Sequence, residues 1–473
     1  MNTFDIVTEE PQKLVNQQMA NFESLIAPRA TVQGGDDAAV LLNLELDETR
    51  YIDLLGKLIG ESEKLQNNPA QGLIPQEDLA VNHILEILNP VSTKFGGPLV
   101  IEKLSYVENR SNLLITYPGT SDEKTVSFVG SHMDVVPANP ETWDRYPFEL
   151  TREGDRLYGR GTTDCLGHVA LLTEFMHALA ELRPTLQRSV TVLLIANEEN
   201  ALIDGVGVDA VHKAGKMDGM KRGPLFWIDS ADSHPCIGTA GVVQWSLKGI
   251  GKLFHSGLPH KGINPIEMLM EAFNIIQRRF YEDFARVPDE EKWNFSTAST
   301  MKPTQFETAR GSLNQIPPHA TISGDIRLTP FYSMADCMAT VEKYVEEINN
   351  DIGSLPTRGN YSKFELPDED LKGKLILTWL TEGENGIACN LDSEGHIILK
   401  EATQEVLGDA QPFAINGTLP LVRWLQDNGF DVQIAGYGLS SAYHADNEYV
   451  ELPHMKKAFR ILAKTISKLE EKI

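Results

Sequence analysis

The strongest chemical signal is the segment SHMDVVP, residues 131–137, which follows the apolar stretch TVSFVG. His132 and Asp134 are two residues apart, so strand alternation directs both side chains to the same side. A histidine that binds a metal needs an acceptor on its second ring nitrogen. The pattern therefore indicates a metal-binding His132 oriented by Asp134, although a purely structural His–Asp hydrogen bond explains it equally well.

Carboxylates stand at three further points where apolar stretches begin or end. Asp164 precedes a helical pattern, where it can bridge two cations or simply cap the helix. Glu198 and Glu199 follow a strand pattern, so one can bind a metal while the other transfers protons. An exposed acidic turn is the equal alternative for that pair. Asp229 ends another apolar stretch, where a turn aspartate is the ordinary explanation.

His444 lies in the polar segment YHADNEYV, residues 443–450, where a histidine is ordinarily just solvated. The candidate ligands then comprise two imidazoles and three carboxylates: His132, Asp164, Glu199, Asp229 and His444. This mixture of donors suits zinc or a similar divalent ion. Two dications balance three carboxylates and one hydroxide, whereas one metal would leave excess negative charge. We therefore expect two metals, which would hold a hydroxide that is a strong nucleophile near neutral pH.

The elements that must position these residues alternate between strand and helix. The predicted strands are 112–117, 125–130, 189–196 and 224–229, with a predicted helix at 166–182. This alternation indicates an α/β sheet with parallel members. Functional loops in such sheets lie at the carboxyl ends of the strands. All five candidate ligands fall at strand exits of this one predicted domain.

A second unit begins near residue 240. Its predicted strands and helices are 241–248, 264–284, 318–328 and 333–352, which together have the size of a small α+β domain. The polar stretch 353–373 is a predicted return linker. We therefore predict a catalytic domain of residues 1–240 and 360–473, with residues 241–359 inserted. The apolar stripe of the C-terminal helix is predicted to pack on the first domain's own core, with an oligomer seam as the alternative.

Composition narrows the function classes. The chain has 473 residues, 41% of them hydrophobic, and a formal charge of −25. The electrostatic field of such a negative charge repels phosphate backbones and anionic lipid, so nucleic-acid and membrane-surface binding are not expected. The four cysteines include no C-x-x-C pair, and no apolar stretch has the length of a membrane span. We expect a cytoplasmic protein with reduced thiols, because the N-terminal residues lack the pattern of a targeting peptide.

In this order, the motifs SHMDVVP, GRGTTDCLGH, NEE and YHADNE resemble those of a family of two-zinc metallohydrolases. That family includes acetylornithine deacetylase, succinyl-diaminopimelate desuccinylase, aminoacylase and carboxypeptidase-type enzymes. The segment 137–176 is similar to the eukaryotic, plant-type branch of acetylornithine deacetylases. The resemblance implies a zinc-exopeptidase-like α/β catalytic domain with a mixed, largely parallel sheet. It also implies that the insert is a ferredoxin-like lid and dimerisation domain.

The resemblance implies a role for each candidate ligand. It assigns His132 and Asp229 to one metal, Glu199 and His444 to the other, and the bridging position to Asp164. The implied cofactors are two divalent ions, either zinc or cobalt. The usual glutamate at the first metal is replaced by Asp229, whose side chain is one methylene shorter. This departure removes no ligand.

The catalytic groups follow from the same resemblance. Glu198 is the implied general base, and Asp134 orients His132. In the family, the inserted domain supplies a histidine to the substrate carbonyl, often across a dimer interface. The matching segment, 251–267, makes His255 the candidate for stabilising the oxyanion.

Four residues match family positions that contact the substrate. Asn314 and Arg327 match positions near the substrate carboxylate, and Gly417 and Thr418 match a loop that lines the site. That loop departs from the usual Gly-Gly-Thr-Asp pattern, which weakens the transfer of substrate identity.

The resemblance implies removal of the N-acyl group from an N-acyl amino acid by a homodimeric enzyme. The specific expectation is conversion of N2-acetyl-L-ornithine to L-ornithine and acetate in arginine biosynthesis. The first alternative is another deacylase or a dipeptidase of the same family. A non-catalytic ligand-binding relative is the second, but such a relative would be expected to lack a ligand or the base.

Overall fold

The computed structural model describes residues 37–200 and 203–472. Residues 1–36 of the predicted catalytic domain therefore lie outside the described residues. The α-helices are α1 Asp37–Val40, α2 Glu48–Glu61, α3 Asp78–Leu88, α4 Leu166–Leu182, α5 Val208–Lys213, α6 Pro265–Asp283, α7 Met334–Asn350, α8 Glu394–Leu407, α9 Val422–Asp427 and α10 Leu452–Glu471. Among the described residues, no helix is long and apolar enough to cross a bilayer.

The strands fall into two main sheets and three small ones. They are β1 Val100–Val107, β2 Arg110–Tyr117, β3 Thr125–His132, β4 Thr151–Glu153, β5 Arg156–Tyr158, β6 Ser189–Ile195, β7 Pro224–Ile228, β8 Cys236–Thr239, β9 Gly241–Ile250, β10 Phe254–His255, β11 Thr300–Thr308, β12 Gln315–Ile316, β13 His319–Leu328, β14 Glu365–Leu366, β15 Leu371–Lys372, β16 Lys374–Trp379, β17 Phe413–Ile415, β18 Asp431–Ala435 and β19 Tyr449–Glu451.

The larger sheet has eight strands in the order β1-β2-β6-β3-β7-β18-β8-β17. Its central strands β6, β3, β7 and β18 pair in parallel, while β1 and β2 add an antiparallel edge. Every residue of β3 and β7 is buried, as expected where helices cover both faces of a parallel sheet. The parallel arrangement brings the carboxyl ends of β6, β3 and β7 to one edge.

The core of the catalytic domain lies between this sheet and two long helices. Phe175 of α4 packs edge-on against Phe128 of β3 at 6.4 Å and against Phe459 of α10 at 5.3 Å. The apolar face of α10 is buried in the same cluster. The C-terminal helix therefore packs on its own domain, as the sequence predicted.

The second sheet has four antiparallel strands in the order β11-β13-β9-β16, with α6 and α7 packed on it. Apart from the short β10 and β12, its elements follow the order β9-α6-β11-β13-α7-β16. This is the split βαβ arrangement of ferredoxin-like domains. The predicted class, an α/β domain with a smaller α+β domain, is confirmed.

The sequence did not predict β16, which pairs with β9 along Lys374–Trp379. The small sheet therefore extends past residue 359, the predicted end of the insert, and the stretch 353–373 leads back into that sheet. Only one residue of β16 is fully buried, so its apolar signal is weak. The sequence did not predict the edge strand β11 either, because most of its residues are exposed and its apolar signal is weak.

Candidate metal centre

The candidate ligands gather at the carboxyl edge of the larger sheet. His132 is the last residue of β3, Glu198 and Glu199 follow β6, and Asp229 follows β7 directly. Because these strands are parallel neighbours, their ends meet at one edge. All four residues have buried or nearly buried side chains. The shared direction of these parallel strands thus explains how residues far apart in the sequence lie close together in the fold.

Asp164 lies between the two candidate histidines. Its Oδ1 is 3.0 Å from His132 Nε2, and its Oδ2 is 3.0 Å from His444 Nε2. Each carboxylate oxygen therefore faces a different imidazole. This is the arrangement expected of a carboxylate that bridges two cations.

Two groups of potential ligand atoms share Asp164. The first group contains His132, Asp164, Cys165 and Asp229, and the second contains Asp164, Glu199 and His444; the atoms of each group lie within 4.8 Å of one another. His132 Nε2 is 3.8 Å from Asp229 Oδ1, and His444 Nε2 is 3.4 Å from Glu199 Oε2. The grouping brings together the five residues singled out from the sequence, while their roles as ligands stay predictions.

Cys165 is an additional member of the first group. Its Sγ lies 3.1 Å from Nδ1 of the buried His168. The other ring nitrogen of His168 lies 2.9 Å from both the backbone oxygen and the backbone nitrogen of Tyr437. The thiol thus lies near the candidate ligands and also packs in the core.

The ionisable groups of the centre strongly perturb one another. Burial, together with neighbouring carboxylates, raises the pKa of Glu199 to about 7 and that of Asp229 to about 7. Burial also works against ionisation of Asp164, but hydrogen bonds with His132 and His444 outweigh it and lower its pKa. Hydrogen bonds with Asp164 and Glu199 raise the pKa of His444 to about 10. The protein alone therefore buries a cluster of mutually repelling carboxylates.

Cations would offset this repulsion, and the donor set fits them. Imidazole nitrogens and carboxylate oxygens are the usual ligands of zinc and similar ions. Oε1 of Glu199 is buried and has no hydrogen-bond partner among the described residues. An unpaired buried carboxylate oxygen is costly unless a cation or a donor meets it. These residues could hold two divalent ions.

Asp134 does more than the sequence indicated. The nearest acceptor to His132 Nδ1 is the backbone oxygen of Asp134 at 2.9 Å, with carboxylate Oδ1 at 3.4 Å. The same carboxylate accepts the backbone N–H groups of Glu198 and Glu199, each at 3.0 Å. Asp134 therefore holds both the histidine and the acidic pair.

Glu198 lies beside the candidate ligands without being a member of either group. Its Oε2 is 3.8 Å from His132 Nε2. Burial and the nearby charge of Asp229 raise its pKa well above the usual range. A carboxyl group in this position can accept and return a proton, and bound cations would favour its ionised form.

A buried polar network behind Asp134 was missed by sequence reasoning. Asn67 donates to Asp134 Oδ2 at 2.8 Å and to Asn197 Oδ1 at 3.0 Å. Arg110 donates to the same Asn197 oxygen at 3.2 Å and forms a buried ion pair with Glu77 at 2.6 Å. Asn197 adopts a left-handed conformation with φ 61°. The network therefore fixes the turn that presents the glutamate pair.

The predicted substrate residues fall into two places. In the insert, His255 on β10 is exposed and pairs with Gln315 of β12, next to Asn314. Elsewhere, Nη1 of Arg327 lies 3.3 Å from Oγ1 of Thr418, where the insert meets the catalytic domain. The main-chain oxygen of Gly417 accepts from Ala240 N at 2.9 Å. Among the described contacts, none joins His255 to the candidate ligands.

Comparison with known proteins decides the family. The model of peptidase family M20/M25/M40 matches residues 128–468. The chain belongs to this peptidase family. The matched range contains every candidate ligand and most of both domains. The M20/M25/M40 assignment confirms the resemblance inferred from the motifs and identifies a hydrolase of amide bonds.

Individual relatives agree with this M20/M25/M40 assignment. The chain is 53% identical over 427 residues to acetylornithine deacetylase of Arabidopsis thaliana, covering 90% of this chain and 97% of that protein. It is 51% identical over 439 residues to acetylornithine deacetylase of Dictyostelium discoideum, covering 90% and 98%. A dinuclear metal-binding M20 peptidase from Bacillus subtilis shares the fold, with a TM-score of 0.57, 15% identity and coverage of 90% and 100%.

Proposed function

We propose that this protein removes the acetyl group from N2-acetyl-L-ornithine, releasing L-ornithine and acetate. Two relatives named acetylornithine deacetylase are 53% and 51% identical to it across nearly their whole lengths. The observation that carries the chemistry is Asp164, which faces His132 and His444 at 3.0 Å each. The reaction would supply ornithine for arginine biosynthesis.

Two divalent metals, zinc or cobalt, are the proposed cofactors. His132, Asp164 and Asp229 would hold one, and Asp164, Glu199 and His444 the other. When bound, the metals would polarise the acyl carbonyl and make a water molecule a good nucleophile. The dinuclear metal-binding relative of the same fold supports this number of ions.

Glu198 is the proposed proton carrier. Its carboxylate takes a proton from the attacking water and delivers it to the departing amine nitrogen. Asp134 assists by holding the backbone N–H of Glu198 at 3.0 Å, which keeps the carboxylate aimed at the reacting atoms. Burial works against ionisation of Glu198, and bound cations would offset this by favouring the carboxylate form that accepts the first proton.

Arg327 is the proposed partner of the substrate α-carboxylate. Asp325 accepts from its Nε at 2.8 Å, so the guanidinium is held in place beside Thr418. A guanidinium can bind a carboxylate bidentately. Gly417 and Thr418 are proposed to line the same site, and Asn314 is proposed to contribute to it from the other place, beside His255. The ammonium of the ornithine side chain would then suit the acidic field of a chain with net charge −25.

His255 is the proposed donor to the oxyanion, acting across a homodimer. Its Nδ1 accepts from Gly257 N at 3.0 Å, which leaves Nε2 available to a substrate. The outer edge of β11 has no strand partner within the described sheet, and Met270 and Phe306 are exposed beside it. They line an open cavity of about 520 Å³. An unpaired edge flanked by apolar side chains supports pairing with a second copy around a two-fold axis.

The cytoplasm is the proposed location. Cys165, Cys236, Cys337 and Cys389 are all free and buried, which supports a reducing compartment.

The test is a substrate screen of metal-analysed protein. N2-acetylornithine is compared with other N-acetyl amino acids, N-succinyl amino acids and dipeptides. The proposal predicts the highest kcat/KM for N2-acetylornithine. A preference for dipeptides or for another acyl group would support the alternative within the family, and no turnover by fully metallated protein would refute the hydrolytic function.

A further inference from the structure

Tyr443 carries a buried hydroxyl that nothing in the mechanism has used. Its oxygen is shielded from solvent and has no hydrogen-bond partner among the described residues. Burying a phenol without a partner is unfavourable, so such a group calls for an explanation. The residue immediately precedes His444, and the two rings stand edge to face at 6.5 Å.

Two other tyrosines in the catalytic domain share this unpaired state. The hydroxyls of Tyr51 and Tyr437 are also buried without a hydrogen-bond partner in the described chain. Burial alone raises the pKa of each. No charged group contributes to either shift, although the ring of Tyr437 packs edge to face against that of His168 at 5.9 Å.

Tyr443 differs because its neighbours are the groups of the metal centre. After burial, the charges of Asp164 and Asp229 contribute most to raising its pKa, followed by Cys165 and Glu198. The Tyr443 ring lies 6.5 Å from the ring of His444, whose Nε2 is 3.0 Å from Asp164 Oδ2. Tyr443 therefore lies beside the centre, yet its hydroxyl has no hydrogen-bond partner among the described residues. A phenol is neutral near pH 7 in any case, so it keeps a proton to donate.

We propose that the Tyr443 hydroxyl donates a hydrogen bond to the acyl oxygen of the substrate while negative charge develops on it. The phenol keeps its proton throughout, so no bond to Tyr443 forms or breaks. This contact comes from the same chain as the metal ligands, whereas His255 is exposed on the insert. The inference rests on the proposed amide hydrolysis and adds a catalytic residue to it.

The experiment compares Tyr443→Phe with Tyr437→Phe. Each change removes one unpaired buried oxygen, so neither should lower the thermal midpoint or the metal content. For Tyr443→Phe we expect kcat to fall by about 100-fold, the order seen when one oxyanion donor is removed. KM should change little. Tyr437→Phe should keep the wild-type kcat.

A binding measurement separates this role from general damage. A phosphinate analogue of N2-acetylornithine places a tetrahedral, charged centre where the acyl carbon would be. Its inhibition constant should rise by about 100-fold in Tyr443→Phe, while the affinity for the product ornithine stays unchanged. Wild-type kcat in Tyr443→Phe, or a loss of bound metal that accounts for its lower activity, would overturn the inference.

The two proposals fail differently. If wild-type protein prefers another N-acyl amino acid, the proposed substrate is wrong, and the tyrosine comparison is made with the preferred substrate and its phosphinate analogue. Protein that hydrolyses no amide would overturn both proposals.

Discussion

The buried carboxylate of Glu448 accepts the backbone N–H of Asp164 at 3.0 Å. Its Oε1 also accepts Thr163 N at 2.8 Å, and its Oε2 accepts Gly161 N at 3.0 Å and Arg160 Nη1 at 2.8 Å. Glu448 lies shortly after His444 in the chain. The Glu448 carboxylate therefore fixes the loop of Asp164, the candidate bridging ligand, relative to the loop of His444.

Glu448→Gln should weaken metal binding. The amide keeps one acceptor oxygen, but its NH₂ group would face N–H donors and Arg160 would lose its buried partner. Loss of such a supporting contact typically costs about 10–100-fold in metal affinity. Titration of the metal-free protein with zinc in a competing chelator measures the effect. Glu451→Gln, which removes a more exposed ion pair with Arg156, is the control, and equal affinities of both variants would contradict the role.

Glu198→Gln should separate catalysis from metal binding. The amide cannot accept a proton from water, so kcat should fall by about 10²–10⁴-fold. Because Glu198 belongs to neither group of candidate ligands, bound metal should stay at the wild-type level. Metal analysis and steady-state kinetics are measured on the same sample. The exposed Glu346→Gln serves as control, and normal turnover by Glu198→Gln would refute the assignment of the base.

Removal of metal should abolish activity and lower the thermal midpoint. Without cations, the buried carboxyl groups of Asp164, Glu199 and Asp229 repel one another unless they take up protons. Metals that bind only the folded state stabilise it. Dialysis against a chelator followed by calorimetry tests this. Zinc or cobalt should restore both properties. Full activity in protein shown to hold no metal would exclude the proposed centre.

Arg327→Met should impair substrate capture. Loss of hydrogen bonds between charged groups costs about 1.5–3 kcal/mol, which corresponds to roughly 10–150-fold in kcat/KM. An analogue of the substrate with an α-carboxamide in place of the α-carboxylate has no negative charge for Arg327 to bind. The variant should therefore hydrolyse this analogue as well as wild type does. Arg278→Met, which changes an exposed arginine of α6, controls for loss of a cation. An equal loss with both substrates would argue against carboxylate recognition.

Hybrid dimers should reveal whether His255 acts across an interface. Glu198→Gln and His255→Ala chains are each expected to be inactive. If His255 serves the partner's site, each mixed dimer has one intact site, and random mixing should restore about a quarter of wild-type activity in a symmetric homodimer.

Phe306→Glu provides the companion measurement. A charge on the exposed apolar surface beside β11 should favour monomers in sedimentation experiments and lower activity without loss of metal. Hybrids that stay inactive although dimers form would indicate that His255 acts within its own chain or not at all.

Sequence reasoning predicted best where local pattern and burial coincide. The strands β3, β6 and β7 are almost wholly buried, so their apolar runs stand out, and α4 is nearly as apolar. By contrast, β1 and β11 lie at sheet edges with mostly exposed residues. Their sequences therefore lack the continuous apolar signal that marks a central strand.

By itself, the sequence determined the types of the candidate ligands and the strand ends that carry them, because periodicity and composition are local properties. Only the tertiary structure decided that one carboxylate oxygen of Asp164 faces His132 and the other faces His444. It likewise decided that Asp134 accepts hydrogen bonds from the backbone of the glutamate pair. It also decided that Tyr443 is left without a partner beside the centre. Such contacts join loops far apart in the chain, so they depend on strand order and packing, which no short segment encodes.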